Sequence, residues 1–199
     1  MYRRRVAPGA VFYFDFNSPY AYLAAERIDG LIPDVQWRPI AFPILLGRLG
    51  RLEASMKRDR GPVVAEVNQR LADRGMPALN PPPGWPLESW SLVPLRAALV
   101  ADEAGRMREF CLAAFRAMFV DGRSIAGLDA VLEVARAAGL DPSEVEAGVE
   151  RPEVKERLKS STDEAHRRGV PGIPTVAIGE ELFWGDDRLG EAAAALATR

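Results

Sequence analysis

The stretch that decides the fold is FYFDFNSPYAYLAAERI, Phe12 to Ile28. With Val11 added, its first part reads VFYFDF, an aromatic and β-branched run that predicts a strand, and YAYLAAERI predicts a helix. The join at Asn17-Ser18-Pro19 therefore takes a strand straight into a helix N-terminus. Serine is a preferred N-cap and proline is pre-set for the first helical turn, so Ser18-Pro19 can be a purely structural start. A capping box is absent, because Ala21 stands where a glutamate or glutamine would reach back. The alternative is a functional hydroxyl: unpaired N–H groups and the helix dipole favour an anion there, and Ser18 would donate a hydrogen bond that stabilises a bound thiolate.

Further along, Pro33-Asp34 makes a turn and VQWRPI, Val35 to Ile40, predicts a second strand. The resulting β-α-β unit is expected to have parallel strands and a right-handed crossover. Helices are expected over residues 44–57 and 62–74, separated by the proline-dense connector Pro77 to Pro86 from a long apolar-periodic stretch, Ser91 to Phe119. Three more helices are expected over 127–138, 142–149 and 152–168. GIPTVAI (Gly172 to Ile178), a turn at Gly179-Glu180 and ELFW (Glu181 to Trp184) predict a hairpin, and Asp186 or Asp187 is expected to cap a last helix to about Thr198. This order of elements is that of an α/β, thioredoxin-like domain, built of β-α-β and β-β-α halves and interrupted by a long all-helical insertion. Residues 10–45 and 160–199 form the thioredoxin-like domain in this reading, and 46–159 the insertion.

The 199 residues are 48% hydrophobic, enough for one good core. Twenty-six basic and 28 acidic residues leave a net charge of -2, with no basic stripe to bind nucleic acid. Arg3-Arg4-Arg5 precedes an apolar run too short and too interrupted for a signal peptide, and no segment has the ~20 apolar residues of a membrane span. Cys111 is the single cysteine, which excludes an intramolecular disulfide and suits a cytoplasmic protein. Its setting, EFCLAAF, is the apolar face of a helix, where a buried small hydrophobe is expected. His166, the only histidine, lies in the polar helix DEAHRR, and metal-ligand spacing is absent, so no metal is expected. Trp85 and Trp90 follow the connector and are expected to pack in the core, or else to roof an aromatic pocket.

Two further segments can carry chemistry. In GVPGIPTVA, Gly169 to Ala177, thioredoxin-like architecture would make Pro174 a cis proline and let Ile173 offer its backbone N–H and C=O to an extended ligand. In FWGDDRL, Phe183 to Leu189, an aspartate at a helix start could take a ligand's ammonium group, or could simply be a cap.

Together these segments resemble the kappa-class glutathione transferases and their relatives, the 2-hydroxychromene-2-carboxylate isomerases. The family start D-x-x-S-P-[YF]-[SA]-[YW]-L-[AG] is matched by Asp15 to Ala24, and its R-P and L-x-G elements by Arg38-Pro39 and Leu45-Leu46-Gly47. G-[VAF]-x-G-[VIL]-P-[TI] is matched by Gly169 to Thr175, and F-[WF]-G-x-D-R-[LM] by Phe183 to Leu189. The resemblance implies that Ser18 holds the sulfur of glutathione, or of another low-molecular-weight thiol, where disulfide-exchanging relatives carry a cysteine. It further implies that Ile173 pairs with the ligand's cysteinyl part beside cis-Pro174, and that Asp187, helped by Asp186, binds its γ-glutamyl end. The G-N-K-P-P segment of many members is missing; EASMKRDRGP, Glu53 to Pro62, stands there, with Lys57 or Arg60 as stand-ins for the lysine. The implied activity is isomerisation of a small aromatic substrate, 2-hydroxychromene-2-carboxylate, to trans-o-hydroxybenzylidenepyruvate by reversible thiolate addition, in a homodimer. A kappa-type transferase or peroxidase, or a non-catalytic thiol- or peptide-binding module, are the alternatives.

Overall fold

The computed structural model describes residues 9–198; Arg3-Arg4-Arg5 lie outside them. The first half of the chain runs β1 (Val11–Phe14), α1 (Pro19–Ala25), α2 (Ile28–Leu31), β2 (Gln36–Pro39), α3 (Phe42–Arg48), α4 (Leu52–Met56) and α5 (Gly61–Ala72). After the connector come α6 (Leu92–Glu103), α7 (Met107–Phe119), α8 (Leu128–Ala137), α9 (Pro142–Val149) and α10 (Pro152–Arg167). The chain closes with β3 (Thr175–Ile178), β4 (Glu181–Trp184), a 3-10 turn (Asp186–Arg188) and α11 (Leu189–Ala197).

The sheet has the order β2-β1-β3-β4, with β1 and β2 parallel and the other two pairings antiparallel. Pro39 is tolerated because β2 is an edge strand, where the missing N–H breaks no central ladder. Successive β1 side chains point to opposite faces. Phe12 and Phe14 enter one apolar core with residues of α1, α7 and α11, and Val11 and Tyr13 enter a second with Ile40, Ala165 and Val170. The result is a sheet covered by helices on both sides.

The larger core does not stop at the sheet. Phe16 lies 5.0 Å from Phe115 and Phe14 lies 6.0 Å from it, ring centre to ring centre, so the opening strand packs directly on α7. Cys111 is part of this core, fully buried, and burial pushes its thiol pKa well up; it is chemically a small hydrophobe here. Among the described residues no helix is long and apolar enough to cross a membrane.

Two expected helices are broken. Residues 44–57 divide into α3 and α4 around Gly50, and the stretch to Phe119 divides into α6 and α7 around Gly105; both glycines have φ near +66°. A left-handed residue ends a helix by turning its last carbonyls inward, and glycine reaches that conformation without a Cβ clash. Asp186 and Asp187 do not cap the last helix. They lie in the 3-10 turn before it, and neither makes a side-chain cap bond.

Candidate active site

The loop from β1 to α1 is held from below by Asp15. This side chain is completely buried, and its carboxylate accepts hydrogen bonds from Asn17 N (3.0 Å), Phe42 N (2.9 Å) and Ser91 Oγ (3.1 Å). One carboxylate thus ties the turn before Ser18 to the starts of α3 and α6. Burial raises its pKa above the usual aspartate value, and the three hydrogen bonds oppose that shift. The folded chain therefore holds this proton more tightly than the unfolded chain. The group's contribution to stability is full below the unfolded pKa and is lost as pH rises through the folded one. The stability advantage of the wild type over Asp15→Asn is accordingly expected to shrink as pH rises above about 4, the ordinary aspartate value. Denaturant titrations of both proteins across that range check it; a constant difference would show that Asp15 does not titrate with folding.

Above Asp15, Ser18 is the N-cap of α1. Its Oγ accepts the N–H of Ala21 at 3.2 Å, and Pro19 occupies the first helical position. Because Oγ acts as acceptor toward the helix, its own O–H is left to donate outward. Ser18 borders an open cleft of about 630 Å³, and Ile173, Pro174, Asp186 and Asp187 border the same cleft. The Ile173–Pro174 peptide is cis. Pro174 O accepts from Gly185 N at 3.0 Å, whereas neither the N–H nor the C=O of Ile173 takes part in a hydrogen bond among the described residues.

The two aspartates differ. Asp187 is exposed at the rim and makes no hydrogen bond within the described residues. Asp186 is fully buried, and its two oxygens are taken by Arg70 and, at 2.8 Å, by Arg74. Its carboxylate is thus neutralised internally by two guanidinium groups, at a residue that also borders the cleft. Arg70 also bonds Glu66 and stacks over the Tyr20 ring at 5.5 Å. Tyr20 donates to Glu66 at 2.6 Å; burial, and then that bond, push its hydroxyl up to about 12, so it stays protonated.

Of the two candidates for a missing lysine, Lys57 is exposed and pairs with Glu53, while Arg60 borders the cleft and donates to Ser55 O. Burial and the neighbouring Arg58 charge lower the pKa of Arg60. Trp85 roofs the cleft: its indole donates to Asn17 O at 3.2 Å and meets Phe119 edge-on. Trp90, expected in the core, is 68% exposed. His166 is exposed. Sequence reasoning passed over Arg51, Arg58 and Arg70, whose positions depend on tertiary contacts that no local pattern marks. It also passed over Asp15, although its place three residues before Ser18 in the opening motif was a usable signal.

A thioredoxin-type sheet, a serine at the first helix start and a proline segment facing it across a cleft define the class. Residues 10–197 match the DSBA-like thioredoxin domain, and the chain belongs to that family. Within it, the chain is similar to a protein named 2-hydroxychromene-2-carboxylate isomerase from Sphingobium xenophagum, at 27% identity over 185 residues, 89% of this chain and 92% of that one. The solved structure of a 2-hydroxychromene-2-carboxylate isomerase superposes with a TM-score of 0.81 at 24% identity, over 95% of this chain and 94% of that one. A cytosolic disulfide reductase, DsbM of Pseudomonas aeruginosa, solved with GSH, gives a TM-score of 0.66 at 20% identity, over 96% and 98% of the two chains. At those identities the two structures speak for the fold.

Proposed function

We propose that this protein is a thiol-dependent isomerase of the 2-hydroxychromene-2-carboxylate isomerase type, a cytoplasmic enzyme that uses glutathione as its thiol. The observation that carries the reading is the meeting of Ser18, the unengaged Ile173 backbone and the free Asp187 carboxylate around one cleft. Glutathione presents a thiol, two amides, one ammonium and two carboxylates, and the donors and acceptors here suit each of them. Ser18 O–H faces the sulfur, Ile173 N–H and C=O pair with the cysteinyl amides, and Asp187 takes the ammonium. Arg58 and Arg60 supply positive charge for the carboxylates.

When bound, glutathione supplies a thiolate that adds reversibly to the conjugated carbon of the ring-opened substrate, making the double bond single long enough to rotate. The protein's part is to keep the sulfur ionised and placed. Ser18 donates a hydrogen bond to the charged form only, and first-turn N–H groups of α1 add their partial positive charge. A free thiol has a pKa of about 8.5, and lowering it by about two units requires roughly 3 kcal/mol of selective stabilisation. One charge-assisted hydrogen bond supplies about half to all of that. Absence of any cysteine at this turn rules out dithiol exchange by the chain itself.

The test is turnover of 2-hydroxychromene-2-carboxylate with and without glutathione, followed by product analysis. The expected product is trans-o-hydroxybenzylidenepyruvate, formed only with the thiol present. Glutathione binding without turnover would instead favour a non-catalytic thiol-binding module.

A further inference from the structure

The cleft carries more positive charge than its own carboxylates neutralise. Among the described residues, Arg51, Arg58 and Arg60 border it with no carboxylate within ion-pair distance, whereas Arg70 is shared by Glu66 and Asp186 and Arg74 is taken by Asp186. Uncompensated guanidinium groups around a largely apolar hollow select an acid.

The three arginines are not equivalent. Arg60 is tied to Ser55 O and lies beside the like charge of Arg58. Arg51 is fixed differently: it donates to Pro171 O at 2.7 Å and its guanidinium lies 5.9 Å from the ring centre of Trp184. A guanidinium anchored at one nitrogen and stacked on an indole has its rotamer already selected, and its other N–H groups remain available in a fork that fits a carboxylate.

Trp184 is the second half of the arrangement. It ends β4 opposite Thr175, borders the cleft, and is 49% exposed. Its indole lies so close over Gly172 that a Cβ there would come 2.8 Å from Nε1. The Gly172 backbone and the Arg51 guanidinium over the ring hold the indole in place, and the residue stays 49% exposed at the cleft, so that part of the ring is open to a flat partner. Pro171, which anchors Arg51, and Gly172, which seats Trp184, directly precede Ile173. This acid-and-plane receptor therefore adjoins the segment offered to the thiol.

We propose that Arg51 and Trp184 form the binding site for a planar conjugated carboxylic acid, the acid's plane lying on the indole and its carboxylate on the guanidinium. The assignment of that acid as the isomerase substrate rests on the function proposed above; the class of ligand does not. For such a substrate, Arg51 and Trp184 set orientation and specificity without donating or accepting protons.

The experiment is calorimetric titration of the intact protein with trans-2-hydroxycinnamate and with its neutral amide, in the wild type, Arg51→Gln, Arg51→Lys and Trp184→Leu, with glutathione titrated in parallel. The wild type is expected to bind the acid about tenfold more tightly than the amide or better. Arg51→Gln should abolish that preference while leaving amide and glutathione affinities unchanged, which also shows that the variant is folded. Arg51→Lys should restore part of it, and Trp184→Leu should weaken acid and amide alike. Equal binding of acid and amide by the wild type, or an undiminished preference in Arg51→Gln, would overturn the proposal. Loss of glutathione rather than acid in Arg51→Gln would also overturn it, placing Arg51 in the thiol's own site. If the isomerase reading is wrong, the chromene acid will not turn over with any thiol, yet the preference for acid over amide and its dependence on Arg51 will persist.

Discussion

Ser18→Ala is expected to lower turnover about a hundredfold, the scale seen when a single donor to a developing or resident anion is removed. The cost to the fold should be only about 1 kcal/mol, that of losing the cap bond to Ala21 N. The pH profile tells the two roles apart. In the wild type the bound thiol is expected to be held below its solution pKa, so activity should rise with pH at lower values than free glutathione ionises. In Ser18→Ala the rise should move up by about one unit, because the hydroxyl bond favoured the charged form alone. Turnover against pH, with thermal unfolding as the control, checks this. Unchanged activity would mean that the sulfur is stabilised elsewhere in the cleft, and a loss explained entirely by unfolding would leave Ser18 as a cap.

Asp186→Ala is expected to have the largest effect on stability, about 3 kcal/mol or more. The carboxylate is fully buried while Arg70 and Arg74 are about a quarter exposed, at 26% and 23%. Truncation strips both guanidinium groups of their main counter-charge, and removing one partner of a buried pair costs about 3–5 kcal/mol. Partial exposure of the arginines places the value near the lower end. Asp186→Asn, which keeps the shape and one acceptor, should lose less. Denaturant midpoints at constant slope measure both changes, and a loss under about 1 kcal/mol for the alanine variant would show that water compensates the arginines. Glutathione affinity should fall in parallel, since Asp187 is carried by the same short turn.

The strand-to-helix entry at Ser18 was legible because three signals coincide within a few residues: the aromatic run, the serine cap and the proline after it. The hairpin of β3 and β4 was legible for a similar reason, with Gly179-Glu180 between two apolar runs. Helix breaks at Gly50 and Gly105 were harder, since an isolated glycine inside a helical pattern is tolerated as often as it terminates one. Asp186 could not be read at all as an ion-pair centre. Its partners lie 116 and 112 residues away, and from neighbouring residues alone an aspartate at a glycine turn looks like a cap or a ligand group. Arg51 was invisible for the same reason: its partners, Pro171 and Trp184, come from the far end of the chain. What a single sequence conveys well is local backbone geometry; which charges are already spent on one another is settled only by tertiary packing.

The borders of the cleft come from widely separated stretches of the polypeptide: Ser18 near the start, Arg58 and Arg60 from the region before α5, Trp85 from the connector, and Pro171 to Asp187 near the end. A growing chain on the ribosome therefore owns no usable hollow until its last hairpin has emerged and docked beside β1. The hollow is thus a late product of folding, complete only when segments more than 150 residues apart in the chain have been brought together.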